Sequence, residues 1–127
     1  MPLVRISLLE GKPQSYLQKA GDAVHRAMVE TISVPAQDRF QIITEYSKSH
    51  FIYDPTYLNI RRSDDLVIIQ ITLNQGRTVE LKKALFKKIA ELLHQELNLR
   101  REDVLVNLVE VPKENWSFGN GEAQYAG

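Results

Sequence analysis

The second residue of the chain is proline. Removal of Met1 leaves Pro2 with a secondary amine at the terminus, and a terminal α-amine has a reference pKa of about 7.7–8.0, far below that of lysine. Such a group titrates near neutrality without help, so it can act as a general base, or as an acid when protonated. Taken alone, a proline just ahead of a strand is also an ordinary residue. The remaining chemistry-bearing side chains exclude more than they suggest. Cysteine is absent, which rules out disulfides, thiolate nucleophiles and cysteine-held zinc together. His25, His50 and His94 fit no metal-ligand spacing and read as surface or partly buried histidines. No metal site is therefore expected. Gly-x-Gly-x-x-Gly, a glycine-rich phosphate loop and Gly-x-Ser-x-Gly do not occur, so nucleotide binding and serine hydrolysis lack support.

The elements that must position Pro2 come from an internal repeat. Shifting the sequence by 65 positions, the separation of Gly11 and Gly76, superposes it on itself without gaps. Ile6 falls on Ile71, Leu8 on Leu73, Lys12 on Arg77, Val24 on Ile89, Met28 on Leu93, Val34 on Leu99 and Asp38 on Asp103. Residues 3–9 and 66–73 are short, β-branched-rich apolar runs that end at Glu10-Gly11 and Gln75-Gly76 turns, as strands do. Leu17, Ala20, Val24, Ala27, Met28 and Thr31 then recur at helical spacing, as do Leu81, Leu85, Ile89, Leu92 and Leu97. Ser15 and Thr78 are the expected N-caps, and Pro35 ends the first helix before Val34. Second strands follow over residues 40–44 and 104–111.

The 127 residues amount to one domain's length. Residues 1–127 are read as a single domain: repeat one at 2–46, a linker at 47–65, repeat two at 66–111 and an aromatic tail at 112–127. The fold class is α+β, a tandem β-α-β repeat. A strand-helix-strand crossover pairs parallel strands, so the expectation is a four-stranded sheet with two helices on one face. The other face, apolar at nearly every position in this reading, requires a cover, and oligomerisation supplies one. The linker aromatics read as packed in one or two extended pieces. In the tail, glycines interleave with Trp116 and Phe118, the composition of a structured loop or short hairpin at a pocket edge.

Sixteen Lys and Arg against sixteen Asp and Glu give no net charge, which argues against a nucleic-acid partner. The N-terminal residues lack the cationic start and apolar run of a signal peptide, and no segment approaches the roughly 18 apolar residues of a membrane span. A soluble cytoplasmic protein without membrane contact is expected.

A proline after Met1, a strand at once behind it, two tandem β-α-β units and a cation after the second turn resemble the tautomerase superfamily. The segments Val34-Pro35-Ala36-Gln37-Asp38-Arg39-Phe40-Gln41 and Trp116-Ser117-Phe118-Gly119 look like the malonate semialdehyde decarboxylase group within it. The resemblance implies a fold like that of macrophage migration inhibitory factor and a homotrimer whose sheets surround a barrel. It also implies a cofactor-independent enzyme with a small pocket at Pro2 for a keto, enol or semialdehyde carboxylic acid. Position by position, Pro2 matches the catalytic amine, Asp38 the acid beside it, Arg77 the cation that holds the substrate carboxylate, and Trp116 and Phe118 the apolar wall. Gln75, a further substrate-binding position, stands where the decarboxylase pattern has a second arginine. That departure shifts the balance from decarboxylation toward tautomerisation.

Each of these residues also has a plainer reading. Asp38 is a possible turn residue, Trp116 and Phe118 are possible core or interface aromatics, and Arg61, Arg62 and Arg39 are alternative carboxylate clamps. Arg77 opposes the dipole of the helix it precedes, which asks for another reason for a cation there. A non-catalytic binding or regulatory trimer is the contrasting function. Val67 is the repeat partner of Pro2, so the second copy lacks an amine.

Overall fold

The computed structural model describes residues 2–126. Met1, on whose removal the Pro2 amine depends, and Gly127 lie outside the described residues. The elements run β1 (Leu3–Leu9), α1 (Gln14–Ile32), β2 (Gln41–Tyr46), β3 (Val67–Asn74), α2 (Val79–Leu97) and β4 (Val104–Val111). The two helices begin and end 65 residues apart. Gly11 and Gly76 close the turns after β1 and β3 with φ of 117° and 118°, a region that favours glycine. Both helices then stop at a left-handed residue, Ser33 at φ 59° and Asn98 at φ 55°.

Strand order is β2-β1-β3-β4. Within each copy the strands are parallel, as the crossover requires, and the copies join antiparallel through β1 and β3. Val4, Ile6 and Leu8 of β1 and Ile69, Ile71 and Leu73 of β3 are buried beneath the helices against Val24, Met28, Ile89 and Leu93. Period-2 strands and period-3.6 helices thus meet in one core, because each offers a single apolar side.

Four details differ from the sequence reading. Thr78 is an N-cap, its hydroxyl accepting the Leu81 N–H at 3.2 Å, but Ser15 is not. The first helix starts after Pro13, whose carbonyl accepts the Tyr16 N–H at 3.0 Å, so Ser15 lies inside the first turn. Thr78→Ala should therefore lower unfolding free energy by about 1 kcal/mol. Ser15→Ala should change it by no more than about 0.5 kcal/mol, both read from urea denaturation at one protein concentration. Second, β2 starts one residue later and runs two residues further than expected, because Leu8 and Leu9 pair with Glu45 and Tyr46.

Third, the linker carries one 3-10 turn, Lys48–His50, a left-handed turn at Tyr57–Asn59 where Leu58 and Asn59 take φ 59°, and no strand. Its packing is local. Phe51 is buried beside the Tyr46 ring, centroids 6.1 Å apart. Ser63 donates from its N–H and hydroxyl to the buried Asp103 carboxylate at 2.7 and 2.6 Å. Fourth, the helix-free sheet face is mixed rather than apolar. Arg5, Gln70 and Asn107 form a polar row across it, with Gln70 Nε2 donating to Asn107 Oδ1 at 3.1 Å. Exposed Ile42, Leu105 and Val109 flank that row. Every second strand residue must face this side whatever its polarity, and a reading of runs rather than alternation overlooked that.

Candidate active site

The antiparallel junction decides which turn meets Pro2. Leu3 pairs with Thr72, so the start of β1 lies beside the end of β3, and the Gly76 turn with Arg77 follows there. The Gly11 turn with Lys12 falls at the opposite end of the sheet. Asn74, the last residue of β3, pairs with Val111, the last of β4. The tail therefore leaves from the Pro2 end and folds back through a 3-10 turn at Lys113–Asn115.

That return places Trp116 and Phe118 against the chain start. The Trp116 indole Nε1 donates to Asn74 Oδ1 at 2.7 Å. Its ring stacks on Phe118 with centroids 5.4 Å apart and planes at 12°, and Tyr125 meets Phe118 edge-on at 5.2 Å. The tail closes with a Gly119 to Glu122 bridge, and Gln124 bonds to the Phe118 N–H at 2.9 Å. Between the tail and the strand ends lies a cleft of about 240 Å³ lined by Pro2, Leu3, Phe40, Trp116, Ser117 and Phe118. Pro2 is buried there.

Asp38 is buried in the turn between α1 and β2, its N–H bonded to the Pro35 carbonyl at 3.0 Å. That turn is tied from two sides. His25 Nε2 donates to the Ala36 carbonyl at 2.8 Å, and the Phe40 carbonyl accepts the Val4 N–H at 3.0 Å. Asp103, its repeat counterpart, holds the segment that precedes β3 through Ser63, and Asp38 lies outside the six residues that line the cleft.

Arg77 and Gln75 are at this end of the sheet but outside the six residues that line the cleft. The half-buried Arg77 donates from Nη1 to the Asn74 carbonyl at 3.1 Å. No acidic side chain among the described residues comes within ion-pair distance of it. Lys12 contrasts with it, sitting 2.6 Å from Asp65 and 5.0 Å above the Tyr16 ring. Its hydrogen bond to Asp65 raises its pKa against the opposing effect of burial. Glu110 is held below the usual carboxylate range first by its Lys82 hydrogen bond, with a smaller contribution from the Arg77 charge. Gln75 is exposed, and its N–H bonds the Val111 carbonyl at 3.0 Å.

Two of the alternative clamps are engaged elsewhere. Arg39 pairs with Asp22 at 2.7 Å, and Arg62 donates to the Tyr57 and Ile60 carbonyls at 3.0 and 3.2 Å. Arg61 and Arg62 precede β3, which starts at the Lys12 end of the sheet. His50 and His94 make only local bonds, to Ser47 and to the Leu99 carbonyl.

Leu3, Phe40 and Asn74 belong to this region but escaped the sequence reading. A signal for Asn74 existed: it stands where copy one has Leu9, a polar residue against an apolar one, whereas the preceding strand positions of the two copies match in polarity.

A fold of two β-α-β units with a proline at the first strand's start, lined up with aromatics from the tail, defines a class. Models described as tautomerase enzyme match residues 38–119 and residues 2–61, and the chain belongs to the tautomerase family of enzymes. It is 49% identical over 124 residues to a probable tautomerase, YusQ, of Bacillus subtilis (strain 168), covering 98% of each chain. Among solved structures it resembles FG41 malonate semialdehyde decarboxylase at 38% identity and TM-score 0.91, covering 98% of this chain and 94% of that one. It also resembles a fused 4-OT described as a symmetric trimer, at 25% identity and TM-score 0.78 over 98% of both chains. Among the described residues no helix is long and apolar enough to cross a membrane.

Proposed function

We propose that this chain, once Met1 is removed, is a tautomerase that moves a proton on a small keto or enol carboxylic acid with the Pro2 amine. The observation that carries this reading is the burial of Pro2 in an apolar cleft at the sheet end that also bears Arg77. In the forward direction the neutral Pro2 nitrogen takes the enol hydroxyl proton. The oxygen lone pair closes the carbonyl, and the carbon–carbon double bond takes the proton back at carbon. Atoms and charge balance without a cofactor. Arg77 holds the substrate carboxylate, since a guanidinium presents two parallel donors matched to it. Trp116, Phe118 and Phe40 exclude water, which lowers the amine's pKa, while the Asp38 carboxylate raises it. Gln75 offers an amide to a substrate oxygen from the turn.

Decarboxylation of a β-keto or semialdehyde acid is a second reading, supported by the 38% identity to FG41 malonate semialdehyde decarboxylase. There a protonated Pro2 polarises the β-carbonyl as carbon dioxide leaves. The deciding experiment begins with intact mass spectrometry to establish a Pro2 terminus. The enol of phenylpyruvate is then followed by loss of its ultraviolet absorbance, and malonate semialdehyde by carbon dioxide release. Turnover of the enol alone supports the first reading; carbon dioxide release alone supports the second. No turnover of either would leave a binding or regulatory role.

We infer a homotrimer as the working unit, with the mixed sheet faces turned inward so that Ile42, Leu105 and Val109 are covered. The similarity to a trimeric fused 4-OT supports this, and a closed cyclic assembly buries such faces without leaving edges. Sedimentation should report about three chains per particle. A stable monomer at low concentration would contradict the assembly.

A further inference from the structure

We propose that Asn74 is a positioning residue that locks the aromatic wall of the cleft to its cation, so that the substrate carboxylate is presented to Pro2 at a set distance. The proposal rests on the reading of Pro2 and Arg77 above, and adds a residue outside the cleft lining. Asn74 uses two groups at once. Its side-chain Oδ1 accepts the Trp116 indole N–H at 2.7 Å, and its main-chain carbonyl accepts Arg77 Nη1 at 3.1 Å. The indole is a donor only, so a half-buried indole needs one acceptor, and Asn74 provides it 42 residues away in sequence. Its backbone is firm. It is the last paired residue of β3, opposite Val111, and the next N–H along, that of Gln75, bonds the Val111 carbonyl at 3.0 Å. Trp116 carries Phe118 by stacking and Phe118 carries Tyr125, so one amide anchors three rings of the tail. The turn that follows Asn74 carries Arg77. Copy one has Leu9 at the equivalent position, and there the equivalent cation, Lys12, is held by Asp65 instead. An amide at the strand end thus occurs in the copy that has a tail to anchor and a cation to aim.

Trp116 is the only tryptophan of the chain, which makes its emission a direct readout that needs no substrate. In Asn74→Ala the emission should shift to longer wavelength and acrylamide quenching should rise. KM for the enol of phenylpyruvate should rise about tenfold, the equivalent of one hydrogen bond, with kcat within about threefold of the parent. Asn74→Asp keeps the acceptor oxygen, so it should restore the emission. Its added charge competes for Arg77, so KM should stay high. Unchanged emission in Asn74→Ala overturns the anchoring of Trp116; shifted emission with unchanged KM overturns the coupling to the carboxylate. A lowered melting temperature with neither change marks a purely structural role and also overturns the proposal. If the parent turns over no enol acid, the proposed function fails. Quenching and the affinity for pyruvate as a carboxylate probe, read by Trp116 fluorescence in both variants, then still decide the role of Asn74.

Discussion

A chain whose Pro2 nitrogen is locked in an amide should lose at least a thousandfold in turnover of the enol acid, while its fold and assembly stay as in the parent. The variant carries a cleavable leader joined directly to Pro2. In that form the nitrogen belongs to a tertiary amide, has no proton to exchange and no basicity. General acid–base groups contribute about a hundred- to ten-thousandfold, and blocking this one also crowds a cleft of about 240 Å³. Cleaving the leader off should restore activity in the same preparation, separating loss of the amine from misfolding. Pro2→Ala is a gentler change. It keeps a terminal amine of similar reference pKa but loses the ring that holds the nitrogen in place, so its activity should fall between the two. Full activity with the leader in place would remove Pro2 from the mechanism. A binding module would behave in just that way.

The second large effect is expected at Arg77. Arg77→Ala should lower kcat/KM for a carboxylate substrate by about a hundredfold or more, since losing one partner of a desolvated charge pair costs roughly 2–5 kcal/mol and about 1.4 kcal/mol is tenfold. Arg77→Lys should recover only part of this, because an ammonium cannot reproduce two parallel hydrogen bonds. Lys12→Ala is the internal control. Its charge is already matched by Asp65 at 2.6 Å, and its turn lies at the sheet end away from Pro2, so the loss should stay below about tenfold. Equal losses at the two positions would mean that both cations serve the fold, and the carboxylate would then be held by other groups.

These contrasts show what was legible in the residues themselves. The 65-residue repeat, the strand-helix-strand order, the turns at Gly11 and Gly76, the Thr78 cap and the family likeness all follow from side-chain type and spacing, because local periodicity and turn chemistry are written in consecutive residues. Ser15 misled because the start of a helix depends on which carbonyl the first N–H groups find, and Pro13 supplied it. The mixed character of the open sheet face was equally visible in principle, in the alternation of Arg5 and Gln70 with their apolar neighbours. Other features needed the tertiary structure. The antiparallel pairing of β1 with β3 set Arg77 at the Pro2 end of the sheet and Lys12 at the other, and no pattern within either copy specifies how the copies join. The return of the tail to bring Trp116 onto Asn74, and the entry of Leu3 and Phe40 into the cleft, depend on contacts between residues tens of positions apart. Such contacts form only where the sheet closes the distance, so Pro2 and Arg77 could be named from the chain, whereas Asn74, polar where copy one has Leu9, showed its bond to Trp116 only in the folded structure.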